Sequence, residues 1–198
     1  MTSSSGTQAL RPWILRSLIL SISVLFAVSA SAQRDHLTDP ETDLVRYYQE
    51  IDKRTDVFIK AADRRFAIIN GTAQPTPKKA DKEEPDWGDV PKGTHAQLLG
   101  DIAGILDEAI TNIDNVSSRD PKNPLVSRAL RKLTVAVNGY EQQLNSLKAK
   151  TTDADELAAL ERINDEAKEI IEAGGHLPSG AVEDEQPDKK GKKKKPSP

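Results

Sequence analysis

Three histidines and no cysteine narrow the chemistry open to this chain. Without cysteine there is no thiolate nucleophile, disulfide or cysteine zinc site. Carboxylate-bridged metal bundles place Glu-x-x-His on facing helices, because the ion needs charged oxygen ligands and an imidazole in the core. The residues three before His36, His95 and His176 are Gln33, Lys92 and Ala173, so that motif is missing. The chain also lacks His-Glu-x-x-His, an EF-hand loop, a Gly-x-Ser-x-Gly elbow, Ser-x-x-Lys and a Gly-x-x-x-x-Gly-Lys phosphate loop. Aspartates and glutamates are plentiful, yet their spacing selects no pair for acid–base work. The reading is a non-catalytic protein without a cofactor.

Two features could still serve binding. Trp87 stands in a polar, proline-rich stretch, where it either docks that stretch onto the body or anchors a partner. A lysine cluster, Lys189, Lys190, Lys192, Lys193, Lys194 and Lys195, closes the chain. It points to an anionic surface, and at about 1 kcal/mol per lysine six give at most ~6 kcal/mol at low salt. Screening weakens this further, so the contact expected is weak and reversible. An alternative reading is a ligand- or divalent-cation-binding bundle, with Asp107 and Asp114 flanking an apolar helix face. Edge carboxylates of this kind are ordinarily a solvated face.

The elements that must hold these residues follow from composition and period. Aromatics make up 4% of the 198 residues and charged residues 30%, with Ala, Leu, Ile, Glu, Asp and Lys abundant. That balance favours helices over a β-sandwich. The formal charge of −3 is unevenly spread. Residues 1–32 carry a basic start in Arg11 and Arg16, a largely apolar stretch from Leu15 to Val28 that includes Arg16, and end on Ala30-Ser31-Ala32. This is the layout of a secretory signal peptide cleaved after Ala32, too short to span a bilayer once Arg16 is passed. The expected location is therefore secreted or periplasmic, with no transmembrane helix left in the chain that begins at Gln33. Residues 33–185 hold 20 Lys and Arg against 30 Asp and Glu, a net of −10. A body this acidic repels phosphate, which excludes nucleic acid as a partner of its folded surface. The remaining candidates are an unknown protein or an anionic envelope component.

The fold class expected is all-α, an up-down four-helix bundle over 33–175, with a long mobile loop at 71–93 and a disordered tail at 176–198. Helix one runs from Pro40 to Asn70, with Asp39 or Thr38 as cap and Thr38 and Glu41 forming a capping box. Its stripe is Leu44, Tyr47, Tyr48, Ile51, Phe58, Ala62, Phe66 and Ile69, and Asn70-Gly71 ends it. Helix two opens on the Thr94/Gln97 capping box. Its apolar positions from Leu98 to Val116 cover an arc of roughly 160°, which makes it the most buried helix, with Asp101, Glu108 and Asn112 on the wet side. Helix three follows Asp120-Pro121 or Asn123-Pro124 and passes through Gly139 without a break. Helix four begins after Thr152 or Asp153, turns Leu157, Leu160, Ile163, Ala167, Ile170 and Ile171 inward, and stops at Gly174-Gly175. Short connections between helices two, three and four predict antiparallel neighbours.

Overall fold

The computed structural model describes residues 35–74 and 85–177. The predicted signal segment and lysine cluster lie outside the described residues, as do 75–84 of the proline-rich loop. The described residues are helical, with no strand among them. The helices are α1 (Asp39–Tyr47), α2 (Ile51–Ile69), α3 (His95–Arg119), α4 (Pro124–Lys150) and α5 (Ala154–Gly175).

The caps follow the local sequence. Thr38 caps α1 and Glu41 answers its backbone N–H, and Thr94 and Gln97 repeat the box on α3. Asn123 caps α4 directly before Pro124, and the Asp153 carboxylate accepts from two N–H groups of α5. Gly71 adopts φ +68° after α2, the left-handed turn its residue type permits. α4 is continuous through Gly139.

Helix one, expected as a single element, is two. The chain leaves α1 with Tyr48 and Glu50 both extended, at φ −80°, ψ 115° and φ −75°, ψ 129°. Neither glycine nor proline marks the break. Arg54 Nε donates to the Tyr48 carbonyl at 3.2 Å, supplying a partner at the interrupted ladder. A straight helix would hold Glu41 and Arg65 about 36 Å apart, at 1.5 Å per residue over 24 residues. The turn instead brings their side chains into hydrogen-bond contact at 2.9 Å. It also removes Tyr47 from the inward stripe and leaves it 74% exposed.

α3 buries nine apolar residues, more than any other helix, as its wide apolar arc predicts. α2 is the more enclosed for its length, with ten of 19 residues buried against ten of 25. Leu98, Leu99, Ile102, Ala103, Ile105, Leu106, Ala109, Ile110 and Ile113 are all buried. They meet Phe58, Ala62 and Phe66 of α2, Leu133, Val137 and Tyr140 of α4, and Leu160, Ile163 and Ile170 of α5 in one core. The Tyr140 hydroxyl reaches out of that core and donates to Asp63 at 2.8 Å. Burial, with the Asp63 charge beside it, pushes the phenol's pKa well up. Ile171, expected inward on α5, is 41% exposed.

Cross-helix contacts give the directions. Arg54–Asn112 and Arg65–Asp101 make α2 and α3 antiparallel. The short turn at 151–153, with the Thr134–Ile170 contact well back from it on both sides, makes α4 and α5 antiparallel. Asp56–Lys132, Asp63–Tyr140 and Asn70–Gln143 run in step, so α2 and α4 are parallel neighbours. α3 and α5 pack extensively, α3 and α4 approach each other less closely, and the backbones of α2 and α5 are not neighbours. The short turn at 120–123 thus joins helices that are not each other's main neighbours. Chain directions alternate, but the packing order is not the order of the sequence.

Candidate functional site

The strongest concentration of polar side chains surrounds Glu41 and Arg65. Arg65 falls inside the apolar stripe of α2, between Ala62 and Ile69 at helical spacing, and is only 1% exposed. A guanidinium enclosed this way needs anionic and carbonyl partners around its fork. Glu41, fully buried, accepts from Arg65 Nη1 and Nη2 at 2.9 Å each. Arg65 Nη1 also donates to the Ala61 carbonyl, and Nη2 to the His36 carbonyl at 2.6 Å. Asp101 of α3 stands 3.6 Å from Arg65 Nε.

Glu41 takes further donors from the Thr38 backbone N–H and from Arg64 Nη1. Burial alone would push its carboxyl up, but the Arg65 hydrogen bonds and charge, with Thr38 and Arg64, hold it below the usual carboxylate range.

Two chain segments are tied to this cluster. The first is the strap at 35–38. His36 Nε2 meets Glu108 Oε2 of α3 at 2.7 Å, while its ring rests on Gly104, where an added Cβ would come within 2.9 Å of His36 Cγ. Leu37 beside it is buried. The Glu108 hydrogen bond raises the His36 pKa above its ordinary value.

The second segment is the described end of the proline-rich loop. Arg64 Nη2 donates to the Asp89 carbonyl at 2.7 Å. Gly88 has φ +63° and lies against Pro40, where a Cβ would come within 2.5 Å of Pro40 Cγ, so only glycine fits. Trp87 is half-buried. Lys60 Nζ lies 5.1 Å and Arg64 Cζ 5.6 Å from its ring centroid, both within cation–π range.

Of the residues singled out from sequence, Trp87 is thus placed beside the Glu41 cluster, whereas Lys189, Lys190, Lys192, Lys193, Lys194 and Lys195 lie outside the described residues. Asp107 and Asp114 are both exposed on α3. Asp107 faces Glu166 of α5, whose carboxyl is raised by burial first and by the Asp107 and Glu169 charges second. No group of three or more His, Asp or Glu side chains among the described residues is arranged to hold a metal ion. No helix among them is long and apolar enough to cross a membrane.

Asp101, expected on the wet side of its helix, is instead only 5% exposed, and no motif marks it, Arg65 or His36 for these contacts. One signal for them existed. Arg65 occupies an inward position of its stripe, and Asp101 stands only about 40° outside the apolar arc of its helix at 100° per residue. A buried arginine needs such an edge carboxylate on the facing helix. The His36–Glu108 contact joins residues 72 apart and has no local signature.

No protein-family model matches the chain, and no curated protein or solved structure is significantly similar to it.

Proposed function

We propose that this chain is an exported, non-catalytic helical protein that acts through contacts with a protein or an anionic component of the cell envelope. The observation that carries the reading is the setting of Trp87. Its ring is held in place by Lys60 and Arg64, its loop is pinned at Gly88 and Asp89, and part of the indole remains open. A rigid, partly exposed tryptophan next to cations is a preorganised anchor, because little side-chain entropy remains to be lost on binding. The four long helices are read as a four-helix bundle supporting that anchor, on the strength of their shared core and alternating directions. Residues 1–32 are read as the export signal, and the polybasic end as a second, weaker contact to anionic surfaces.

The test uses the chain beginning at Gln33, with and without residues 186–198, in cosedimentation with anionic and zwitterionic phospholipid vesicles. Retention on anionic vesicles that fades between low and physiological salt and disappears with the truncation is expected. Equal retention of both forms would remove the tail's role.

The cation-binding alternative draws on one observation, the approach of Asp107 to Glu166 across α3 and α5. A melting temperature that rises with Mg²⁺ or Ca²⁺ and falls back with chelator would favour it; no shift would count against it.

A further inference from the structure

The strap at 35–38 is joined to α3 through an ionisable contact, and α3 is joined to the Trp87 loop through an unbroken series of charge-assisted hydrogen bonds. His36 Nε2 meets Glu108 at 2.7 Å. The backbone carbonyl of the same His36 accepts from Arg65 at 2.6 Å. Arg65 holds Glu41, Glu41 holds Arg64, and Arg64 reaches the Gly88 and Asp89 carbonyls and the Trp87 ring. Each link is a group with a partner on both sides, so displacement of the strap is felt at the indole. We propose that residues 35–38 form a pH-responsive strap: protonated His36 clasps Glu108 and fixes the Trp87 loop, and loss of that proton loosens both. This rests on Trp87 being the contact residue only for its biological use; the coupling itself is independent of any partner.

The groups facing the imidazole all favour its charged form. Glu108 and Asp101 approach from α3 and Asp35 from the strap itself, while the Arg65 cation of α2 is spent on Glu41 and on the His36 carbonyl rather than on the ring. Burial opposes them and is outweighed. The sign follows. A histidine raised above 6.5 in the folded chain contributes stability that is complete below the unfolded value and is lost as pH rises through the folded value. Neutral imidazole can still donate one N–H to Glu108, so the strap slackens rather than dissociates outright.

The chain beginning at Gln33 contains one tryptophan, Trp87, which makes the test direct. Imidazole titration by NMR, indole emission and the melting temperature would be followed from about pH 5.5 to 9 in the parent chain, in His36→Gln and in Glu108→Gln. Expected are a His36 midpoint above 6.5, an indole emission change with the same midpoint, and a melting temperature that falls across it. Both variants should lose the emission change and the extra fall, leaving only the background from other groups. A His36 midpoint at or below 6.5, or a pH dependence unchanged in His36→Gln, would overturn the strap. A titrating His36 with an indole that does not follow it would overturn the coupling. Binding to a partner enters none of the three readouts, so failure here does not bear on the contact role of Trp87.

Discussion

Two carboxylates, one in the first turn of α1 and one in the first turn of α2, are buried and held in contrasting ways. Glu41 is saturated: two arginines and a backbone N–H donate to it at hydrogen-bond distance. Asp52, 1% exposed, has neither oxygen in a hydrogen bond among the described residues. Its cations, Arg128 and Lys132 of α4, stop at 3.6 and 3.7 Å, and Lys132 turns its ammonium to exposed Asp56 at 2.8 Å instead. Both sites neutralise a buried charge, but only the first also replaces the water lost by the carboxylate. Coulomb attraction at a distance compensates desolvation poorly, whereas directed donors do so well. The difference matches what each site holds together. Glu41 fixes the strap, α1, α2 and the Trp87 loop at once, while Asp52 lies between α2 and the half-exposed ends of two α4 side chains.

The contrast can be broken most severely at Glu41. Glu41→Ala strands two arginines, one of them fully enclosed, and should cost about 3–5 kcal/mol in denaturant unfolding. The same pair sets an acid limit. A carboxylate held below its ordinary range contributes stability that is present above the unfolded value and disappears as pH falls through the folded one. Glu41→Gln should therefore flatten the acid limb of the stability profile below about pH 4.5, a measurement that isolates this group from the bulk carboxylates. Gly88→Ala comes next. It imposes a positive φ on alanine and drives Cβ into Pro40, and should cost about 1–3 kcal/mol while raising the exposure of Trp87 to iodide quenching. The smallest effect is expected at the other carboxylate. Asp52→Asn removes a charge that has no hydrogen bond to lose, and Arg128 and Lys132 can turn to solvent, so stability should change by less than about 1 kcal/mol. A loss as large as that at Glu41 would show that the two sites are energetically alike.

The parts of this molecule legible from sequence are those decided within one helical turn. Thr38 with Glu41, Thr94 with Gln97, Asn123 before Pro124, and Gly71 after Asn70 each carry their cap in adjacent letters. The broad apolar face of α3 was equally readable, because ten apolar positions from Leu98 to Val116 span its arc. What local pattern could not supply was the break at 48–50. Tyr48, Gln49 and Glu50 contain no helix breaker, and a continuous stripe from Leu44 to Ile69 is a sound helical reading. The break is decided by contacts 23 and 24 residues away, between Glu41 and the two arginines. The same holds for packing order. Short turns predict that consecutive helices are main neighbours, yet parallel α2 and α4 meet through Asp56–Lys132 and Asp63–Tyr140. Trp87 was recognisable as unusual by its polar surroundings. Its cationic flank was not, because Lys60 and Arg64 lie 27 and 23 residues before it and no local pattern ties them to it.

The organisation described here turns on Glu41 holding the Trp87 loop in place through Arg64. Iodide quenching of Trp87 in the chain beginning at Gln33, compared between the parent and Glu41→Gln at a pH and temperature where far-ultraviolet circular dichroism shows both to be fully helical, tests this link most directly. A quenching constant raised at least about twofold in Glu41→Gln is expected, since Arg64 loses its carboxylate and the loop its anchor. An identical constant in two folded proteins would mean that the loop is fixed without the cluster, and would contradict the role assigned to it.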